Sequence, residues 1–174
     1  MSNDITYLSA IELLDAYSTR QLSPIEVMDA TLARIENLQE TVNAFVTVCP
    51  DQALMVAKEA EKAYGKGGSA GTISGIPFSV KDLIQTDGVR TTFGSAVFSD
   101  NVPNTDAVVV QRMKESGGIL IGKTTTPALG HKAITSSLVS GISRNPWNLD
   151  HTCGGSSGGA AAAGRYTAAG CVVG

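Results

Sequence analysis

Asp106-Ala107-Val108-Val109-Val110-Gln111-Arg112-Met113 reads as a helix with its start marked by Asp106, and Gly117-Gly118 as its stop. Ile119-Leu120-Ile121 follows at once as a buried strand. A helix passed to a strand through a glycine turn implies an α/β layer architecture. The same alternation continues on both sides. Upstream, Ile76-Pro77-Phe78-Ser79-Val80 is a short apolar run, in which Pro77 is tolerable only near the strand start or on an edge. Downstream, Gly154-Gly155-Ser156-Ser157-Gly158-Gly159 runs into Ala160-Ala161-Ala162-Ala163, so a glycine loop opens a helix, and Val172-Val173 would begin the next core strand.

The first 64 residues read as mainly helical. Ser9-Ala10-Ile11-Glu12 has the form of a capping box, and Ser23-Pro24-Ile25-Glu26 repeats it with proline at the first helical position. Ile25, Met28, Leu32 and Ile35 then form one apolar stripe at helical spacing. Ala44-Phe45-Val46-Thr47-Val48 is a strand stopped by Pro50, and Asp51 can cap a third helix whose Ala53, Ala57, Ala60 and Ala63 suit close packing. Packing is a sufficient account of all these residues. Gly65 to Gly75 is the one plausible internal linker, leaving residues 75–174 as the start of an α/β core. The expected organisation is a single partial domain over residues 1–174.

Composition narrows the function classes. An apolar fraction of 43% in 174 residues supports a real core and argues against disorder. Thirteen Lys and Arg against sixteen Asp and Glu give a net charge of −3, which argues against direct nucleic-acid binding through phosphate neutralisation. No apolar run approaches membrane-spanning length, and the N-terminus lacks a basic region followed by an apolar stretch. Cys49, Cys153 and Cys171 are odd in number and without close pairing, so no disulfide scaffold is expected and the cytoplasm is the default compartment.

Three patterns resemble known chemistry and fail on context. Gly117 to Thr124 has the spacing of a phosphate-binding loop, but it follows a helix and is itself an apolar strand, which leaves Lys123 as a strand-end lysine. Gly154-Gly155-Ser156-Ser157-Gly158 fits the nucleophile elbow of α/β-hydrolases. The residues before it, Asn145 to Asp150, read as a loop; both histidines, His131 and His151, lie upstream, and no acid follows Asp150. His151-Thr152-Cys153 supplies too few ligands for a metal. Neither a metal nor a cofactor is expected.

Lys81 ends an apolar strand, so the start of its side chain is buried, and desolvation of the charged amine lowers its pKa. Such a lysine can act as a general base toward a serine hydroxyl. Ser156 sits among four glycines, where the backbone can adopt conformations other residues avoid. Equally, Lys81 can be one half of an ion pair and the glycine–serine run an ordinary helix start.

The blocks Gly75-Ile76-Pro77-Phe78-Ser79-Val80-Lys81-Asp82, Gly88-Val89-Arg90-Thr91-Thr92, Gly122-Lys123-Thr124, Arg144-Asn145-Pro146-Trp147 and Gly154 to Gly159 come in the order and about the spacing of the amidase signature family, which this chain resembles up to Ala163. Asn43-Ala44-Phe45-Val46, behind its helices, resembles that family too. The resemblance implies a mixed central sheet covered by helices and the hydrolysis of amides, or transfer of ammonia, through a Ser–cis-Ser–Lys triad. Lys81 matches the catalytic lysine and Ser156 the bridging serine, with the cis bond at Gly155–Ser156. The implied partner is a small-molecule amide.

The family's nucleophile lies in a second glycine–serine block a couple of dozen residues further on, and Gly174 precedes it. Ser157 is not at the nucleophile position. Gly164-Arg165-Tyr166-Thr167 replaces the family's alanine–valine helix, so the helix after the glycine loop is expected to be poorly formed at its far end. Thr125-Thr126-Pro127-Ala128-Leu129-Gly130 stands where many members have an early asparagine and a glutamate–phenylalanine pair after the proline. The chain is therefore expected to be a truncated amidase, marginally stable and inactive alone. The alternatives are the glutamine-hydrolysing A component of a tRNA-dependent amidotransferase and a non-catalytic remnant; Gly130-His131-Lys132-Ala133 is closer to stand-alone amidases.

Overall fold

A computed structural model describes residues 5–68, 71–165, 167 and 171–174. After a 3-10 turn at Ile5–Tyr7, helices α1 (Ala10–Ser18) and α2 (Pro24–Val42) both start at the expected capping boxes. In each, the backbone N–H of the cap serine donates to the glutamate three residues on, at 2.8 Å. α2 ends at Asn43, whose left-handed backbone (φ 54°) turns the chain into β1 (Phe45–Val48).

The third helix departs from expectation. α3 (Pro50–Gly65) has Cys49 at its N-cap with no side-chain cap, so Asp51 lies inside the first turn and caps nothing. Pro50 both stops β1 and opens α3, because its missing N–H and fixed φ suit the first helical position. The stretch read as a linker is also anchored where it is described. Ile73 N–H donates to Ser116 O and Gly75 N–H to Gly117 O, both at 3.0 Å, while Tyr64 Oη donates to Ser74 O. Ser69 and Ala70 lie outside the described residues.

Four strands form a mixed sheet in the order β1, β3 (Ile119–Thr124), β2 (Pro77–Lys81), β8 (Cys171–Val173). β1 runs antiparallel to β3, and β2 runs parallel to both β3 and β8. Pro77 is the first residue of β2, which makes it tolerable in a strand paired on both sides. β3 is twice as long as the apolar run alone suggests, because it continues through Gly122 and Lys123. At Gly122 (φ +158°) the backbone passes so close to β1 that a Cβ would overlap Thr47 O.

Alternation along β3 divides the core between the two faces. Ile119 and Ile121 pack with Met28 and Ile35 of α2, Ala53 and Ala57 of α3, and Ala162 and Ala163 of α5 (Gly158–Ala163). Leu120 packs with Phe78 and Val80 of β2, Val89, and Val110 of α4 (Val108–Glu115). The sheet is therefore covered on both faces.

Two small hairpins lie between β3 and α5. β4 (Ser136–Ser137) pairs with β5 (Gly141–Ile142), and β6 (Arg144–Asn145) with β7 (Asn148–Thr152). The stretch read as a loop before the glycine run is thus largely a hairpin. Its sequence gives no sign of this, because β7 is exposed throughout and has no buried face to impose alternation. α5 stops at Ala163 with Gly164 at its C-cap; Tyr166 and residues 168–170, part of the expected weak helix end, lie outside the described residues.

Candidate active site

Lys81 is the last residue of β2 and is buried, at 8% exposure. Its Nζ lies 2.9 Å from Ser156 Oγ and 2.7 Å from Ser157 Oγ. Burial holds the amine below the usual lysine range. The two residues singled out in the sequence therefore meet across 75 positions of chain, and Ser157 joins them.

The glycine loop is held from several sides. Thr126 Oγ1, just beyond the end of β3, donates to Ser156 O at 3.1 Å. Thr135 Oγ1 donates to Gly154 O at 2.9 Å and accepts from Gly158 N–H at 3.0 Å. The Gly155–Ser156 peptide is cis. Gly159 lets α5 begin against the chain after β3, where a Cβ would overlap Thr125. Neither Thr126 nor Thr135 carried a signal in the sequence, because each works through backbone contacts set by the fold.

Beside Lys81, the buried carboxylate of Asp82 accepts from the backbone N–H of Thr92 (3.1 Å), the Thr92 hydroxyl and, at 3.5 Å, Gly94 N–H. Burial raises this carboxyl, and those donors work against the rise. Lys123 is the second-to-last residue of β3 and is fully buried. Its Nζ donates to Ile84 O, to Thr86 Oγ1 at 2.8 Å and to Thr91 Oγ1 at 3.1 Å. Burial lowers the Lys123 amine to about 8, opposed by the charge of Asp82. The blocks quoted for Lys81, Thr91–Thr92 and Lys123 are thus one folded cluster.

His131 and His151 are exposed and take no part in this cluster. Cys153 directs its thiol to Ser143 O at 3.3 Å, and burial pushes that thiol up. Among the described residues no group of three His, Cys, Asp or Glu is placed to hold a metal ion, and no helix is long and apolar enough to cross a membrane.

The family model described as Amidase matches residues 26–174. The chain belongs to the amidase signature family. Among amidase relatives, it is 38% identical over 160 residues to an acylamidase of Rhodococcus erythropolis, covering 92% of this chain and 34% of that protein. It is 36% identical over 159 residues to the A component of the glutamyl-tRNA(Gln) amidotransferase of Carboxydothermus hydrogenoformans, covering 91% and 33%. A bacterial aryl acylamidase structure of this family superposes with a TM-score of 0.86 at 32% identity, covering 91% of this chain and 33% of that one. A peptide amidase from Stenotrophomonas maltophilia gives 0.83 at 30% identity, covering 90% and 34%. The chain spans about a third of the length of the relatives it matches.

Proposed function

We propose that Lys81 and Ser156 form the proton-relay part of an amide-hydrolysing site. The observation that carries this reading is the 2.9 Å contact between a lysine amine held below its usual range and a serine hydroxyl on a glycine loop. Neutral Lys81 takes the proton of Ser156, and Ser156 takes that of the attacking serine as its oxygen bonds to the amide carbon. The C–N bond then breaks, and the proton returns along the same path to the leaving amine. Water, deprotonated by the same relay, cleaves the acyl ester and releases the carboxylate. The attacking serine belongs to a second glycine–serine block, which the remaining two-thirds of a relative would supply.

The substrate class is a small amide, and the three free cysteines fit a reducing cytoplasm. Identity to the A component of an amidotransferase favours a second reading, in which the amide is glutamine and the ammonia passes to a partner. Both begin with the same acylation step. The test joins this chain to the remaining two-thirds of the Rhodococcus acylamidase and assays simple aliphatic and aromatic amides beside glutamine. Lys81→Ala and Ser156→Ala should each reduce turnover by about a thousandfold or more. Unchanged turnover in either variant would place the proton path elsewhere, and turnover of glutamine alone would favour the second reading.

A further inference from the structure

Four side chains from four separate parts of the chain stack at the surface. The Arg165 guanidinium lies 4.5 Å from the Trp147 ring centre and 5.0 Å from that of Tyr7. Arg34 of α2 lies 4.7 Å from the same Tyr7 ring and donates to its hydroxyl. Arg165 therefore bridges two aromatic rings, and α2 holds the second of them. Trp147 is, with Pro146, one of the two turn residues between β6 and β7, and Arg165 follows α5. Between them lie the glycine loop, Ser156 and Ser157.

We propose that this Trp147–Arg165–Tyr7 stack is a clasp that closes both ends of the reactive loop onto the N-terminal helical layer, and that Arg165 is its positioning residue. The segment it closes needs such support. Glycine-rich chain loses much conformational freedom on ordering. α5 has six residues, too few for an independently stable helix. β7 is exposed along its whole length and, among the described residues, pairs only with β6.

The test needs no amide turnover, and its outcome is therefore independent of the proposed reaction. Trp147 is the only tryptophan, 76% exposed, and reports the clasp directly through acrylamide quenching of its fluorescence. Opening of the reactive loop is read by the acetylation rate of Lys81 with acetic anhydride, mapped by mass spectrometry and normalised to exposed Lys58. Arg165→Ala should raise Lys81 acetylation about two- to fivefold, the loss expected for an exposed cation–π contact, and raise the quenching constant by a smaller factor because Trp147 is already 76% exposed. Arg165→Lys, which keeps the charge but not the planar stack, should fall between. Tyr7→Ala should raise Trp147 quenching although Arg165 stands between the two rings. Quenching unchanged in Arg165→Ala would overturn the clasp. Increased quenching with Lys81 acetylation unchanged in both Arg165→Ala and Tyr7→Ala would reduce it to a surface contact without influence on the loop.

Discussion

Lys81 and Lys123 lie on neighbouring parallel strands, one residue apart in register: Val80 pairs with Lys123, and Lys81 with Thr124. Both amines are lowered by burial, yet their surroundings differ in kind. Lys123 is closed off from solvent and bonded to a carbonyl and two threonine hydroxyls on the segment that follows Lys81. Lys81 reaches past the strand end to two serine hydroxyls on a loop built largely of glycine. Burial and a lowered pKa do not by themselves mark a reactive lysine. The two amines differ in what they face: fixed acceptors in a closed core, or the hydroxyls of Ser156 and Ser157 on the glycine loop, which under the proposed function would pass a proton on.

The largest expected effect contrasts the two positions directly. Lys123→Met should cost on the order of 3 kcal/mol of unfolding free energy, because Ile84 O, Thr86 and Thr91 lose their common donor inside the protein. Lys81→Met should change stability by less than about 1 kcal/mol, since its serine partners keep access to solvent. Denaturant midpoints of the two variants measure this, and equal losses would erase the distinction.

The pH dependence sharpens it. The folded-state value of Lys123, about 8, lies below the ordinary lysine value that the unfolded chain regains, 10.5. Between those values the unfolded state binds more protons, so this lysine's contribution to stability rises with pH, by at most about 1.4 kcal/mol per unit. Buried thiols and tyrosines, raised by burial, pull the opposite way in the same alkaline range. Subtracting the Lys123→Met curve removes Tyr17 and Cys171, while Cys49, whose thiol the Lys123 charge lowers, stays coupled to the difference. The difference between parent and variant should grow from about pH 8 toward 10.5; a flat difference would mean that Lys123 titrates as an ordinary lysine.

The smallest effect concerns the partners. Thr86→Val should cost about 1 kcal/mol by removing one acceptor from a closed site. Ser157→Ala should cost only a few tenths, because Ser156 Oγ remains within reach of the Lys81 amine. A larger loss at Ser157 than at Thr86 would reverse the assignment of which cluster is structural.

Local features were legible wherever one residue's chemistry sufficed. Ser9–Glu12 and Ser23–Glu26 mark their helix starts because a capping box is satisfied within four residues. Asp51 misled because a proline at the first helical position outweighed an acidic residue that would otherwise cap. β7 was unreadable because nothing in an exposed strand forces alternation. At the candidate site Lys81 and Ser156 were legible, the first from the apolar strand leading into it and the second from its glycine surroundings, and family resemblance paired them. Thr126 and Thr135 were not legible, because threonines that hold a loop by its backbone leave no spacing to find.

The sequence by itself determined the starts of α1 and α2, the glycine breaks and the burial of the β2 and β3 strands, since these follow from periodicity and capping within a few residues. Only the tertiary structure decided that Ser157 shares the Lys81 amine, that Lys123 fastens the segment behind it, and that Arg165 stands between Trp147 and Tyr7. Each of those contacts joins positions far apart in the chain, Lys81 to Ser157 and Tyr7 to Arg165 among them. No local pattern specifies such a meeting; it exists because strand order and helix packing bring the side chains to one place.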